Sequence, residues 1–364
     1  MLLILVVGLF AGKAIGGQVS VPFFGQTQGP FSEGPNLPVF SAINFFLHLD
    51  EFEDVEDISY DPRDVPLPVG NRSAQHLTVD LVAKEVLSEI TDGTTLNYWT
   101  FNGKVPGPLI RARVGDTITF SLTNDMSSLH HHSLDFHAVT GPGGGAKVLA
   151  VQPGETKNLT AKLLHPGLYI YHCASSPSVA AHMTHGQYGL LLVEPEGGLP
   201  PVDKEFYVVQ GEFYTMGNIG DKGLVAFDSK SMLDENPNYI VFNGRVNALN
   251  EKMYADVGDS VRIFFGNGGV SKISSFHVIG EIFDSVYPEA AIGSETHKNI
   301  QTTLVPAGGA TIVEFVLNYP GNYMLVDHSL TRMEKGAWGM LIVNGSENHS
   351  IYKGEVSSSA PPGH

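Results

Sequence analysis

The residues that could carry out chemistry are concentrated in two short stretches of the first half of the chain. Leu129-His-His-His-Ser-Leu-Asp-Phe-His137 contains four histidines and one carboxylate. Tyr171-His-Cys173 contains the chain's one cysteine, and His182 and His185 follow it. Fifteen histidines against a single cysteine is an unusual balance, and imidazole is the commonest metal ligand in proteins. These stretches therefore predict metal binding.

The spacing of the ligands predicts two metal sites. His132 and His137 are an odd number of residues apart, so on one extended strand their side chains would face opposite sides. The adjacent pair His172 and Cys173 has the same property. A thiolate with two imidazoles and a weak axial ligand suits an electron-transfer copper, whereas imidazoles with an open position suit a catalytic metal. Zinc is a weaker interpretation because a structural zinc site would contain more thiolates.

The other histidines do not have this density of neighbouring ligands. They are interpreted as ordinary residues without a metal role, and they are His48, His76, His165, His297, His349 and His364. A lone buried cysteine is usually a small hydrophobic residue. Among so many imidazoles, however, Cys173 is better interpreted as a thiolate ligand.

An internal repeat supplies the elements that must position these ligands. Four motifs of the first half recur in the same order in the second half, at offsets of 141, 143, 140 and 154 residues. The pairs are Phe101-Asn-Gly103 with Phe242-Asn-Gly244, Val114-Gly-Asp116 with Val257-Gly-Asp259, Phe136-His-Ala-Val139 with Phe276-His-Val-Ile279, and Pro166-Gly-Leu-Tyr169 with Pro320-Gly-Asn-Tyr323. Collinear matches of this kind predict two copies of one domain, at residues 75–197 and 203–348.

Each copy has the pattern of short strands. Thr117–Thr123 and Ser260–Phe265 alternate roughly with period two and are rich in β-branched or aromatic residues. The 364 residues include 41 glycines and 22 prolines, which suits frequent turns. Two similar domains of strand and turn predict paired β-sandwiches. The one helix of note is expected at Asp228–Glu235, which begins with a capping aspartate and ends before a proline.

The segments outside the repeat differ in composition. Residues 1–16 resemble a signal peptide or short apolar leader, too short to span a bilayer, so export to the periplasm or another extracytoplasmic space is expected. Residues 17–74 form a Gly/Pro-rich and acidic extension, and residues 349–364 a flexible tail. No later segment predicts a membrane span. The formal net charge of −17 argues against nucleic-acid binding, because a phosphate backbone would repel it.

The sequence resembles the copper-containing nitrite reductases, trimeric enzymes with two cupredoxin domains. The matching stretches are His132–Gly141, Pro166–Ala174, Phe276–Gly280 and Val326–Leu330. They occur in order, and the likeness extends from about residue 61 to residue 345. The resemblance implies an all-β fold of two tandem cupredoxin-like Greek-key β-sandwich domains. It also implies two coppers per subunit, of type 1 and type 2, and a homotrimer.

The resemblance implies roles for individual residues. The implied type 1 copper ligands are His132, Cys173 and His182. The implied type 2 copper ligands are His137 and His172, with His328 contributed by a neighbouring subunit. The residues that match the proton-managing pair and the apolar wall of the substrate pocket are Asp135, His277 and Ile279.

One position departs from the family pattern. The family usually has an axial methionine five residues after the second type 1 histidine, and this chain has Gln187 there. Met183 directly follows a ligand and could reach the copper only if the loop changed shape. If His185 replaced His182 as the ligand, the residue five positions on would be Leu190, which cannot ligate. Gln187 is therefore the expected axial ligand, and Met183 is the alternative.

The function implied by the resemblance is dissimilatory reduction of nitrite to nitric oxide. One electron would pass from the type 1 copper to the type 2 catalytic copper through His172 and Cys173. The donor would be a protein such as a cupredoxin or c-type cytochrome, and the acidic chain suits a partner with a basic docking face.

Two alternatives to nitrite reduction stay open. A laccase-like multicopper oxidase would need repeated His-x-His pairs and histidines on both sides of the cysteine, but Ala174 follows Cys173. A non-catalytic electron-transfer cupredoxin would need neither His137 nor His328.

Overall fold

The chain is built from β-strands arranged in four sheets. The computed structural model describes residues 45, 47–176 and 178–354. Within these residues the strands are interrupted by only two short α-helices and a few 3-10 turns, so the predicted all-β class is confirmed. The leader expected at 1–16 lies outside the described residues. No helix in the described part of the chain is long and apolar enough to cross a bilayer.

The first β-sandwich contains both stretches of predicted metal ligands. Its strands are β1 (Glu53–Asp54), β2 (His76–Thr91), β3 (Thr94–Phe101), β4 (Ile110–Arg113), β5 (Thr117–Asn124), β6 (Asp135–Phe136), β7 (Thr156–Lys162), β8 (Gly167–His172) and β9 (Tyr188–Glu194). One sheet has the order β3-β2-β5-β7, with β1 paired to β2, and the other has the order β4-β9-β8-β6. The acidic extension therefore contributes β1 to the first sheet.

The second β-sandwich repeats this two-sheet plan. Its segment of the chain contains β10 (Lys204–Phe213), β11 (Gly223–Leu224), β12 (Tyr239–Phe242), β13 (Met253–Asp256), β14 (Ser260–Asn267), β15 (Ser274–Ile279), β16 (Ser285–Tyr287), β17 (Thr302–Val305), β18 (Gly309–Val316), β19 (Gly321–Asp327) and β20 (Trp338–Asn344). Its sheets have the orders β12-β10-β14-β18-β16 and β13-β20-β19-β15-β17. Strand β11 pairs instead with β3 of the first sandwich.

The repeated motifs occupy equivalent places in the two sandwiches. Asn102 and Asn243 both adopt a left-handed backbone, with φ of 59° and 44°, which asparagine tolerates better than most residues. Each accepts a backbone N–H on its side-chain oxygen, Asn102 from Val82 at 2.7 Å and Asn243 from Val209 at 2.8 Å. The Asn-Gly motif thus ends β3 and β12 in the same way.

Each sandwich has an aromatic stack at its centre. The alternation predicted for Thr117–Thr123 is seen in β5, where every second side chain is buried. Phe120 of β5 stacks on Phe136 with ring centroids 3.8 Å apart. In the second sandwich Phe265 stacks on Phe276 at 4.0 Å. Phe136 directly precedes His137, and Phe276 directly precedes His277. The two stacks therefore fix the backbone positions of these histidines at the edge of the core.

The two α-helices are short, and one was not expected. Helix α1 (Val179–Thr184) begins where the Ser178 side chain accepts the Ala181 N–H at 3.2 Å. Helix α2 (Ser229–Leu233) was predicted, and Asp228 caps it by accepting the backbone N–H groups of residues 230 and 231. Helix α1 carries His182, one of the predicted metal ligands.

A buried ion network joins the two sandwiches. Arg111 of β4 forms ion pairs with Glu194 and, at 2.6 Å, with Glu205 of β10. Glu205 also pairs with Arg262 at 2.9 Å, and Arg262 pairs with Glu314 at 2.5 Å. Both guanidinium groups are almost completely buried. Glu205 therefore pairs with one arginine from each sandwich and helps to hold the two sandwiches together.

Arg111→Met should destabilise the protein markedly. Removing one partner of a buried ion pair leaves an uncompensated charge, here that of Glu194, and typically costs about 3–5 kcal/mol. Urea unfolding of the variant measures this cost. Arg63→Met is the matched control, because Arg63 forms an exposed pair with Asp61 and should cost less than about 1 kcal/mol. Equal unfolding midpoints for the Arg111 variant and the wild type would contradict the role of the network.

Candidate metal centres

The first donor group surrounds the buried thiol of Cys173. Cys173 Sγ lies 3.3 Å from His182 Nδ1 and 3.9 Å from His132 Nδ1. One donor atom of each residue lies within 4.8 Å of the others, and all three side chains are buried. Cys173 directly follows β8, His182 comes from α1, and His132 lies in the loop before β6. We call this set the Cys173 group.

The surroundings of Cys173 favour its thiolate and the neutral form of His182. Burial raises the pKa of the Cys173 thiol, but the hydrogen bond and charge of His132 outweigh it, and the net pKa is lowered. The Ser133 N–H also donates to Sγ at 3.3 Å. Burial lowers the pKa of His182 to about 3, so its ring is neutral at physiological pH. Thiolate and neutral imidazole are the forms that bind metals.

The geometry favours Gln187 over Met183 as a further ligand of this group. Gln187 is completely buried, and its Oε1 lies 3.4 Å from His182 Nδ1. Its amide Nε2 points to the carbonyl of Thr100 at 3.5 Å, which leaves the carbonyl oxygen on the side of the donors. Met183 packs in the apolar core together with Val105 and Tyr188.

The second donor group consists of Asp135, His137 and His172, whose donor atoms also lie within 4.8 Å of one another. The Nε2 atoms of His137 and His172 are 3.1 Å apart. His172 Nδ1 donates to the Cys173 carbonyl at 2.9 Å, and its Nε2 is directed toward His137. His137 is exposed, whereas the Cys173 group is buried. We call this set the His137 group.

The segment between His132 and His137 is not one strand, so that part of the sequence interpretation is wrong. Only Asp135–Phe136 form β6, and His132 makes an isolated bridge with Val151. The two histidines nevertheless belong to different groups. A glycine-rich turn holds Asp135 in place, because a Cβ at Gly144 would lie 1.8 Å from Asp135 Oδ1. Only glycine fits this close approach.

The three predicted residues of the second sandwich are His277, Ile279 and His328, and neither histidine belongs to a donor group found among the described residues. His277 and Ile279 share the outer face of β15, alternating with buried Phe276 and Val278. His277 Nδ1 donates to the Gln301 carbonyl at 2.5 Å. His328 follows β19, and its ring centroid lies 5.3 Å from that of His277. These two histidines form a pair on the surface of the second sandwich.

Sequence reasoning missed two residues around the Cys173 group, Glu85 and Trp99. It included His130 in the stretch that predicts metal binding but gave it no individual role. Glu85 of β2 lies directly opposite Trp99 of β3, and both are buried. The Trp99 ring contacts four imidazoles, which belong to His130, His132, His182 and His185, at centroid distances of 4.3, 5.7, 4.6 and 4.2 Å. The sequence pattern that could have revealed Glu85 is the alternation of β2, which places its carboxylate on the inner face of the sheet beside Ala83.

The surroundings of Glu85 favour its ionised carboxylate although the side chain is buried. Its Oε1 accepts the backbone N–H groups of Leu129 and His130 at 2.9 and 2.8 Å. The His130 ring adds a hydrogen bond through Nδ1 at 3.0 Å. Burial raises the pKa of Glu85, but the charge and hydrogen bond of His130 outweigh this and lower the pKa well below its ordinary value.

The donor sets fit copper. The Cys173 group offers one thiolate, two imidazoles and one amide oxygen, the combination typical of an electron-transfer copper. The His137 group offers two imidazoles and a carboxylate with an exposed side, as a site that admits a small substrate requires. A second donor group of this kind is not needed by a protein that only carries electrons.

Comparison with known proteins gives one consistent result. A family model described as multicopper oxidase matches residues 83–198. A copper-containing nitrite reductase of Neisseria gonorrhoeae is 42% identical over 362 residues, which cover 99% of this chain and 91% of the relative. One of Neisseria meningitidis serogroup A is 48% identical over 303 residues, 82% of this chain and 78% of the relative. A solved copper nitrite reductase of Nitrosomonas europaea superimposes with a TM-score of 0.67 at 33% identity, covering 75% of this chain and 95% of that one.

Gln187→Met should raise the reduction potential of a copper in the Cys173 group and change its visible spectrum. A thioether is a softer and weaker donor than an amide oxygen, so it favours Cu(II) less. A redox titration of the copper-loaded protein, followed by absorbance, measures both effects. Met183→Leu is the control and should leave both unchanged. If Gln187→Met changes neither quantity, Gln187 is not a ligand and Met183 becomes the candidate.

Proposed function

The chain belongs to the copper-containing nitrite reductases, and from that premise we propose how its residues divide the reaction between them. The protein has two cupredoxin domains, binds copper and reduces nitrite to nitric oxide. Each turnover consumes one electron and two protons per nitrite and releases one water. The residues must therefore accept an electron, deliver it to substrate and supply protons there.

The proposed division rests on one observation, the contrast between a buried and an accessible donor group that are adjacent in sequence. His132, Cys173, His182 and Gln187 hold the type 1 copper, away from substrate. His137 and His172 hold the type 2 copper where nitrite can enter. Copper supplies one-electron chemistry in the first group and a Lewis acid in the second. The His172 Nδ1 hydrogen bond to the Cys173 carbonyl adds a second link to the peptide bond that joins the two groups.

The third type 2 ligand is His328 of a neighbouring subunit in a homotrimer. The pairing of His328 with His277, outside the His137 group, supports this proposal. Three exposed apolar side chains lie on or beside the segments that carry the pair, as expected for a subunit interface: Ile273 precedes β15, Leu304 lies on β17 opposite Ser275, and Leu330 is two residues after His328. The active site is then complete only in the oligomer.

Asp135 and His277 manage the two protons. The Asp135 carboxyl, held against Gly144, can hydrogen-bond an oxygen of nitrite and donate a proton to it. His277 binds the Gln301 carbonyl through Nδ1–H, which leaves Nε2 free to take up and pass on a proton. Ile279 lies on the same face of β15 as His277 and supplies the apolar wall that limits water at the substrate.

The cellular setting completes the proposal. The apolar leader at 1–16 directs export to the periplasm or another extracytoplasmic space. The electron comes from a small redox protein, a cupredoxin or c-type cytochrome, whose basic face docks on this acidic chain of net charge −17.

Mixed trimers test the shared active site. His137→Ala and His328→Ala should each abolish nitrite reduction, and each should keep the visible band of the Cys173 group. In trimers that contain both variants, the intact His137 of one subunit meets the intact His328 of the next at roughly one site in three, so activity should return. Coexpression with two affinity tags isolates the mixed species. If both ligands came from one chain, no mixture would recover activity, and the proposal would be wrong.

Asp135→Asn tests the proton role. The amide keeps the shape of the carboxyl but cannot donate its proton, so turnover should fall by about 10²–10⁴-fold. Copper content and the visible band should stay as in the wild type. Asp80→Asn is the control, an exposed aspartate on β2. Wild-type turnover of Asp135→Asn between about pH 5 and 8 would remove Asp135 from the mechanism.

A further inference from the structure

Glu85 is a fully buried carboxylate that has no role in the proposed reaction. It lies in the middle of β2, opposite Trp99, on the side of the sheet that faces the Cys173 group. A buried carboxylate costs several kcal/mol of desolvation unless its surroundings compensate it. The three N–H donors on Oε1 give part of this compensation. Its Oε2 has no hydrogen-bond partner among the described residues.

His132 also has a buried polar atom without a hydrogen-bond partner among the described residues. Its Nδ1 faces Cys173 Sγ, so a ring that binds metal through Nδ1 carries its proton on Nε2. This Nε2 is buried and has no aligned hydrogen-bond partner among the described residues. Glu85 Oε1 lies 3.4 Å away, within ion-pair distance but not aligned as a hydrogen bond. A buried donor without an aligned acceptor is thus next to a buried carboxylate whose other oxygen, Oε2, also lacks a partner among the described residues.

The loop that carries His132 is itself attached to Glu85. The backbone N–H groups of Leu129 and His130 converge on Oε1, so the carboxylate fixes the chain two and three residues before the ligand. The His130 ring, bonded to the same oxygen, packs on Trp99. The backbone at Leu129 and His130, the His130 ring and the His132 ring are therefore all in contact with one side chain on a rigid strand.

We propose that Glu85 is a positioning residue of the type 1 centre: it holds the Nε2–H of His132 and so fixes the ring with Nδ1 toward the Cys173 thiolate. This inference rests on the proposed ligand role of His132. A carboxylate behind a ligating imidazole fixes its tautomer and raises its basicity. The more basic ligand favours Cu(II), so Glu85 and Gln187 lower the reduction potential together.

The test is Glu85→Gln in the copper-loaded trimer. The amide has nearly the same shape and can still accept the loop N–H groups, but it lacks the charge that strengthens the bond from His132. Affinity for Cu(II), measured by competition with a chelator, should fall about 10–100-fold, and the midpoint potential should rise. Glu89→Gln on the same strand is the control and should change neither. Unchanged affinity and potential in Glu85→Gln would overturn the proposal.

Two further variants separate the possible outcomes. His132→Ala should abolish the visible band; an intact band would show that the ligand assignment, rather than the positioning role, is wrong. His130→Phe keeps a ring on Trp99 but removes its bond to Glu85, and it should shift the potential less than Glu85→Gln does. An equal shift would mean that Glu85 acts through His130, and the proposal for His132 would fail.

If Glu85→Gln does not fold, the proposal can still be tested by a measurement on the wild-type protein. In the diamagnetic Cu(I) form, the Nε2 proton of His132 should be protected from exchange with solvent and shifted downfield in the NMR spectrum by its bond to a carboxylate. A rapidly exchanging proton would overturn the assignment.

Discussion

The structure depends on the adjacency of His172 and Cys173 at the end of β8. Two side chains that follow each other along an extended segment face opposite ways, so this one dipeptide supplies one donor side chain to each group. Every other donor side chain must then come to a fixed place on one side or the other. The loop before β6 and helix α1 supply the side chains of the buried group, and the exposed His137 belongs to the accessible group.

The sandwich makes this arrangement stable by placing the polar groups where rigid elements can hold them. Strands β2 and β3 carry Glu85 and Trp99 under the Cys173 group, and the stack of Phe120 on Phe136 anchors the segment that leads to His137. The ligand rings are therefore restrained before a metal binds. Because preorganised ligands lose little conformational entropy on binding, this scaffold strengthens metal affinity.

The sequence was most informative where chemistry depends on residue type and short spacing. The repeat, the alternation of β5 and the cap at Asp228 depend on local patterns, and the structure reproduces them. Helix α1 is only six residues long, too short for a helical period to stand out, and it was missed. The alternation of β2 indicates that Glu85 is buried, but its contacts depend on β2 pairing with β3 and on a loop more than forty residues later, so no local pattern reveals its role. The surface pair of His277 and His328 likewise reflects contacts between distant strands.

Strand β11 has a consequence for how the two halves of the chain could ever be separated. It comes from the second half but completes the first sheet, through Gly223 paired with Thr94 and Leu224 paired with Thr95. A fragment cut between the repeats would leave that edge of β3 without its partner, as an open template for other chains. Glu205 would also lose its ion pair with Arg111 across the same boundary. Neither half of the duplication would therefore keep all of its contacts if it were separated from the other.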